Sequence, residues 1–178
     1  RDDDMIMTGK RHDFRVDYNA GFESDGTLRA VEVNFLSRCG ISADLSLGVN
    51  DRTMFHADNA YFYPAVRIHS RRLKTNTVSN TAFRGFGGPQ GAIAIEYIID
   101  NIARELGLDP LDVRKANFYG TTDCNLTPYG MTVEDNVIRE LVAELETSSD
   151  YRQRRVAARD FNATSPVLKK GLALTPVK

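Results

Sequence analysis

The feature that most constrains the fold is a change of hydrophobic period near the middle of the chain. Before about residue 80, apolar residues alternate with polar ones, which is typical of half-buried strands. After Pro89, apolar residues recur every three or four positions, as they do on one face of a helix. This order predicts an α+β fold in a single domain over residues 1–178, strand-rich over 8–80 and helical over 89–162.

The strand-rich part is predicted to begin with a β-hairpin. Alternation runs from Phe14 to Phe22, Asp25-Gly26 supplies the turn, and a second strand runs from Leu28 to Leu36. We interpret residues 39–50 as a loop or a short irregular helix, and Val66–Leu73 as a third strand. Three basic residues share one face of that strand: Arg67, His69 and Arg71. Such a face can hold phosphate, but it is also typical of a solvated surface paired with carboxylates.

The helical part contains four predicted helices. The longest begins at Pro89 and ends at Gly107, because proline is favoured in the first helical turn and glycine at the C-cap. A short helix follows from Pro110 to about Asn117, with Asp109 as its N-cap. The remaining elements are a helix capped by Thr132, a helix over Asp150–Phe161, and a last strand at Leu172 and Leu174.

The balance of charges argues against several classes of function. The 178 residues include 23 Lys and Arg against 24 Asp and Glu, a formal net charge of −1. Proteins devoted to nucleic acid or anionic membranes depend on excess positive charge, and no apolar run approaches the roughly 20 residues that span a bilayer. Cys39 and Cys124 form no CxxC pair. We therefore expect a cytoplasmic protein with reduced thiols and no nucleic-acid or membrane partner.

A glycine-rich loop stands directly before the longest predicted helix. Its sequence, TAFRGFGGPQ at residues 81–90, combines three glycines with two phenylalanines and an arginine. Glycine permits positive φ and a close approach of the backbone to another group, and a helix N-terminus favours an anion. The loop therefore suits an oxygen-rich, negatively charged ligand, although a tight strand-to-helix turn explains the same glycines. It matches neither a Walker loop nor the dinucleotide-binding GxGxxG pattern.

This loop resembles one found in the molybdenum hydroxylases, most closely in the xanthine dehydrogenase and xanthine oxidase family. The resemblance runs from about Thr8 to Pro176 and covers nearly the whole chain. It implies that the chain is part of the molybdenum-binding region of a larger enzyme. Further matches flank the loop at residues 74–76, 79–80, 91–96, 107–108 and 113–117.

The resemblance implies roles for three residues of the loop. Arg84 would meet a molybdenum–pterin cofactor through its backbone region, near the metal but without a side-chain ligand, and Gly85 would allow the close approach. Phe86 would project into the pocket of a flat heteroaromatic substrate, where aromatic packing adds roughly 0.5–1.5 kcal/mol beyond area burial. Simple core packing is the other interpretation of Phe86.

A second segment carries the implied choice of substrate. Residues 51–56, DRTMFH, resemble the segment that gives xanthine dehydrogenases a substrate arginine. Arg52 would then bind a purine and stabilise the transition state, because its guanidinium faces an oxygen on which negative charge builds. The family's general base lies outside this chain, and we interpret Glu96 and Glu32 as paired or solvated carboxylates.

The complete reaction implied by the resemblance belongs to the parent enzyme. That enzyme would hydroxylate hypoxanthine and xanthine to urate and pass electrons through 2Fe-2S clusters and FAD to NAD, none of which this chain would bind. The chain would act with the remaining parts or subunits of the enzyme, and by itself would be inactive. Three alternatives remain: an aldehyde oxidase-type hydroxylase, a phosphate- or nucleotide-binding module, and an interaction domain with Tyr61-Phe62-Tyr63 as an exposed patch.

Overall fold

A computed structural model describes residues 2–178 of the chain. Strands come mostly first and helices mostly after, so the α+β prediction is confirmed. None of the helices within residues 2–178 is both long enough and apolar enough to cross a membrane. The elements are α1 Asp2–Met7, β1 Phe14–Phe22, β2 Leu28–Gly40, α2 Ser46–Phe55, β3 Val66–Lys74, α3 Gly88–Leu106, α4 Pro110–Asn117, α5 Ile138–Ser148 and α6 Tyr151–Thr164.

The three strands form one mixed sheet in the order β1-β2-β3. β1 and β2 pair antiparallel, with Tyr18 opposite Val33, which confirms the predicted hairpin. β3 pairs parallel to β2, with Ile68 opposite Val33. A parallel pair needs a crossover connection, and residues 41–65 supply one that contains α2. Residues 46–55 are therefore a regular helix where the sequence indicated only a loop or a short irregular one.

The core lies between the sheet and α3. One face of α3 buries four isoleucines, each at most 3% exposed: Ile95, Ile98, Ile99 and Ile102. They belong to one hydrophobic cluster with Val31, Val33 and Phe35 of β2. Complete burial of such side chains is worth about 1.5–3 kcal/mol each. This packing fixes α3 on the sheet, while Gly87 and Gly91 bring the start of α3 close to the backbone of α2.

The tyrosines of the aromatic cluster are part of the core. Tyr61 and Tyr63 are 0% and 6% exposed, and the Tyr61 ring is stacked on Phe118 at a centroid distance of 5.9 Å. The Tyr63 hydroxyl donates to the Ala57 carbonyl at 2.7 Å. The interpretation of this cluster as an exposed interaction patch is therefore wrong.

The predicted helix start at Thr132 is wrong. Thr132 forms an isolated bridge with Leu126, inside a turn that the Thr127 N–H closes by donating to the Met131 carbonyl at 2.8 Å. Helix α5 begins six residues later at Ile138. A turn closed by its own backbone bonds leaves Thr132 unavailable as a cap.

The predicted last strand at Leu172 and Leu174 does not form. Residues 165–178 contain neither strand nor helix. The Leu172 carbonyl accepts from Arg155 Nη1 at 3.1 Å, and Leu174 is buried without strand pairing. The segment thus buries Leu174 and contacts α6 through Arg155 without joining the sheet.

Candidate functional site

The glycine-rich loop connects β3 to α3 through two consecutive turns. The Phe86 N–H donates to the Phe83 carbonyl at 2.8 Å, and the Gly88 N–H donates to the Gly85 carbonyl at 3.0 Å. Gly85 has φ +88°, as the third residue of a type II turn requires. Phe86 also has a positive φ, +49°, which is uncommon for a ring-bearing residue. Backbone strain of this kind clusters at functional sites.

The first amides of α3 are already used by the protein. The N–H groups of Gln90 and Gly91 both donate to the Gly87 carbonyl, at 3.2 and 3.3 Å, and Pro89 has no N–H. The Gly85 N–H, one turn earlier, has no acceptor within residues 2–178. A backbone donor for a ligand is therefore available in the loop, whereas the sequence had pointed to the helix N-terminus.

A pocket of about 450 Å³ lies between the end of α2, the start of α3 and residues 175–178. Arg52 and Gly85 both line it, so the fold brings these two predicted site residues together. Arg84 and Phe86 do not belong to its lining. The other residues of the lining are His56, Asn59, Gly88, Pro89, Ala92, Ile93, Glu96 and the segment Thr175–Lys178.

Arg52 presents an unpaired cation to this pocket. It is exposed on the last turn of α2, where a positive charge also suits the helix dipole. Within residues 2–178 no carboxylate forms an ion pair with its guanidinium. The side chain is therefore free to bind an oxygen-rich or anionic group from outside the chain.

Phe86 and Arg84 lie on other sides of the loop. The half-buried Phe86 ring rests on α2 at Gly48, where an added Cβ would stand 2.9 Å from ring carbon Cε1. The Arg84 side chain is exposed, and its carbonyl accepts from Arg11 Nη2 at 2.5 Å. The proposed substrate role of Phe86 and the cofactor role of Arg84 stay predictions.

His56 is a pocket residue that the sequence interpretation missed. It follows Arg52 by four residues, about one helical turn, so both reach the same side of the pocket. Burial lowers the pKa of His56 below 6.5, and the nearby charges of Arg52 and Lys178 lower it further. The neutral form of His56 is thus favoured. The spacing would have revealed it if α2 had been predicted through Phe55.

Asn59 fixes one wall of the pocket. Its backbone is left-handed, with φ +43°. Its side-chain amide donates to the Pro176 carbonyl at 2.9 Å, and its Oδ1 accepts from the Lys178 N–H at 3.1 Å. The neighbouring Asp58 carboxylate binds the Lys178 ammonium. These contacts join residues more than 100 positions apart, and no local sequence pattern predicts them.

Glu96 lines the pocket but is fully engaged. Its carboxylate accepts from Tyr61 Oη at 2.6 Å, Asn59 Nδ2 at 2.9 Å and Arg114 Nε at 2.8 Å. Burial, and then the charge of Glu96, raises the pKa of Tyr61, which keeps the phenol a donor. Glu32 pairs with Arg67 at 3.3 Å on the open face of the sheet. Both carboxylates are therefore paired within the protein, as the sequence analysis expected.

Comparisons with known proteins identify the family to which the chain belongs. Residues 1–118 match the family described as the molybdopterin cofactor-binding domain. All 178 residues align with xanthine dehydrogenases of Dictyostelium discoideum, at 40% identity, and Drosophila subobscura, at 43%. The chain spans only 13% of the length of each. In structure it is similar to an aldehyde oxidoreductase from Desulfovibrio gigas, with a TM-score of 0.72 and 29% identity over 89% of this chain and 17% of that one.

Proposed function

The chain belongs to the family of molybdopterin cofactor-binding domains, and from this premise we propose that it forms part of the molybdenum site of an enzyme that hydroxylates purines. The carrying observation is that the unbonded Gly85 amide and the unpaired Arg52 guanidinium line one pocket. Its similarity to xanthine dehydrogenases over its whole length supports a purine substrate. Because the chain spans 13% of those relatives, the complete activity is a proposal about the parent enzyme.

The glycine-rich loop fits a cofactor that contacts main chain. Gly85 lines the pocket, carries no side chain and has an N–H without an acceptor within residues 2–178. Arg84 and Gly85 would hold the molybdenum–pterin cofactor through this stretch of backbone, without a side-chain ligand to the metal. The bound cofactor supplies the two-electron oxidation chemistry, while the protein positions and polarises the substrate.

Arg52 would bind the purine and stabilise negative charge on one of its oxygens. A guanidinium is planar, always charged and offers several donors in a fixed plane, which suits an oxygen of a flat heterocycle. Removal of one donor aimed at developing charge costs about 10²–10³ in kcat in well-studied enzymes. His56, neutral beside Arg52, adds an uncharged polar group to the same wall.

The resemblance gives Phe86 the role of packing against the substrate ring from the loop. Its ring rests on Gly48 of α2, outside the lining of the pocket that Arg52 shares, so this part of the proposal is drawn from the resemblance. The parent enzyme would pass electrons through 2Fe-2S clusters and FAD to NAD. We place that enzyme in the cytoplasm, where thiols such as the free Cys39 and Cys124 stay reduced.

The test replaces Arg52 by Met in the full-length enzyme that carries this chain. We expect kcat/KM for xanthine to fall about 100-fold while turnover of a small aldehyde is retained, because only the purine needs the guanidinium. The matched control is Arg15→Met, since the Arg15 side chain is 76% exposed on β1 and its ion pair within residues 2–178 is with Asp17. Equal losses for both substrates would refute the purine assignment, and unchanged xanthine turnover with aldehyde as the better substrate would favour an aldehyde-oxidising hydroxylase.

A further inference from the structure

The short segment before β1 runs directly alongside the glycine-rich loop. The Thr81 N–H donates to the Lys10 carbonyl at 3.0 Å, and Gln90 Nε2 donates to the His12 carbonyl at 3.2 Å. The two ends of the loop are therefore attached to residues 10–12. Arg11, between these attachments, faces the middle of the loop.

Arg11 makes two different contacts with the loop. Its guanidinium lies over the Phe83 ring, 4.6 Å from the centroid, and Nη2 donates to the Arg84 carbonyl at 2.5 Å. Its other terminal nitrogen, Nη1, is buried and finds no acceptor within residues 2–178. A buried donor without a partner costs free energy. The contacts with Phe83 and the Arg84 carbonyl therefore hold the side chain in this position at the expense of the solvation of Nη1.

The Arg84 carbonyl belongs to the central peptide of the turn from Phe83 to Phe86. Turns of types I and II differ mainly in which way this central peptide faces. The peptide is planar and trans, so its carbonyl and the following N–H point in opposite directions. When Arg11 holds the Arg84 carbonyl on its own side, the Gly85 N–H must point away from Arg11.

We propose that Arg11 is a positioning residue that fixes the Arg84–Gly85 peptide so that the Gly85 N–H is presented to the cofactor. The inference rests on the proposed function, because it assigns the Gly85 amide to that ligand. Arg11 itself touches no reacting group. It selects one of the two orientations of the Arg84–Gly85 peptide. Stacking on the Phe83 ring keeps its guanidinium oriented for the hydrogen bond to the Arg84 carbonyl.

The test uses the full-length enzyme, produced in a host that assembles the molybdenum cofactor and in a host that does not. The variants are Arg11→Met and Arg11→Lys, with Arg15→Met as the control. Three quantities are measured: molybdenum per polypeptide after dialysis, hydrogen exchange of residues 83–88, and the Tm of the cofactor-free protein.

We expect Arg11→Met to retain about tenfold less molybdenum, the effect of one lost hydrogen bond to a charged group. Arg11→Lys keeps the charge but not the planar donor, so its retention should be intermediate. Exchange at 83–88 should be faster in Arg11→Met, while the cofactor-free Tm should equal that of Arg15→Met. This last readout separates positioning from a general structural role.

Two results would overturn the inference alone: molybdenum retention in Arg11→Met equal to the control, or a drop in the cofactor-free Tm parallel to the loss of molybdenum. Absence of molybdenum from the unsubstituted enzyme would instead overturn the proposed function on which the inference depends.

Discussion

Replacement of Gly87 by alanine should disrupt the junction between the glycine-rich loop and α3. Gly87 has φ +100° and ψ −25°, a conformation that costs an alanine about 1–2 kcal/mol. An added Cβ would also overlap the Val49 carbonyl oxygen of α2 and lie 2.9 Å from Thr53 Oγ1. The chain must therefore separate α2 from the loop.

That separation has its own cost. Overpacking of a close contact costs about 1–3 kcal/mol, and the hydrogen bond from Thr53 Oγ1 to the Gly87 carbonyl, 3.0 Å long, is worth about 1 kcal/mol more. With the backbone strain, we expect Gly87→Ala to destabilise the region by about 4 kcal/mol.

Substitutions at two other glycines separate the cost of backbone strain from the cost of steric overlap by the added Cβ. Gly130 has φ +83° but no atom within 4 Å of an added Cβ, and Gly171 has neither a positive φ nor a neighbour there. In the full-length protein, Gly171→Ala should leave the Tm nearly unchanged, since such a surface change is worth within about 0.5 kcal/mol. Gly130→Ala should lower the Tm modestly and Gly87→Ala most. A Tm for Gly87→Ala equal to that for Gly130→Ala would refute the packing argument.

Two further predictions concern buried titratable groups. Arg114, 1% exposed, binds Glu96 and Asp100 at 2.8 Å each. Because water screens the charge of Asp100, Arg114→Met should lower the free energy of unfolding in urea by about 3 kcal/mol, mainly through the unpaired charge left on Glu96. Addition of Glu96→Gln should restore part of this loss, and no recovery in the double variant would show that the Glu96 charge is not its cause. Burial lowers the pKa of His12 below 6.5, so the unfolded chain binds a proton that the folded chain rejects. The stability contribution is complete above pH 6.5 and is lost as the pH falls from there through the folded pKa. His12→Gln should flatten this loss in unfolding curves measured at several pH values, and equal slopes would show that His12 is not its source.

Local chemistry made part of the fold predictable. Asp25-Gly26 marks the turn of the β1–β2 hairpin in the sequence, and the Asp109 carboxylate accepts from the Leu111 N–H at 2.9 Å, as its predicted N-cap role requires. Thr132 carries an equally good capping side chain. It failed as a predictor because the backbone bond from Thr127 to Met131 uses the same stretch for a turn. Capping chemistry indicates where a helix can begin, and tertiary context decides whether it does.

The site was predictable only in part, for a different reason. Gly85 and Arg52 came from resemblance to a family, and their meeting at one pocket depends on the packing of α2 against the start of α3. The spacing of His56 from Arg52 is a signal only once α2 is known, and Asn59 had no local signal of function. The role of Asn59 arises from contacts with Pro176 and Lys178, which only the folded chain brings to it.

The loop is held from two directions, and this explains its unusual backbone. From α2, the Thr53 hydroxyl binds the Gly87 carbonyl, and from the segment before β1, Arg11 binds the Arg84 carbonyl. Strained conformations such as that of Phe86 persist only where the surroundings over-determine them, and these two anchors do so on either side of it. Between the anchors, the Gly85 amide is left without a protein acceptor. A donor held this rigidly loses little entropy when it binds a ligand, which supports the proposal that the Gly85 amide binds the cofactor and the exposed Arg52 side chain binds the substrate.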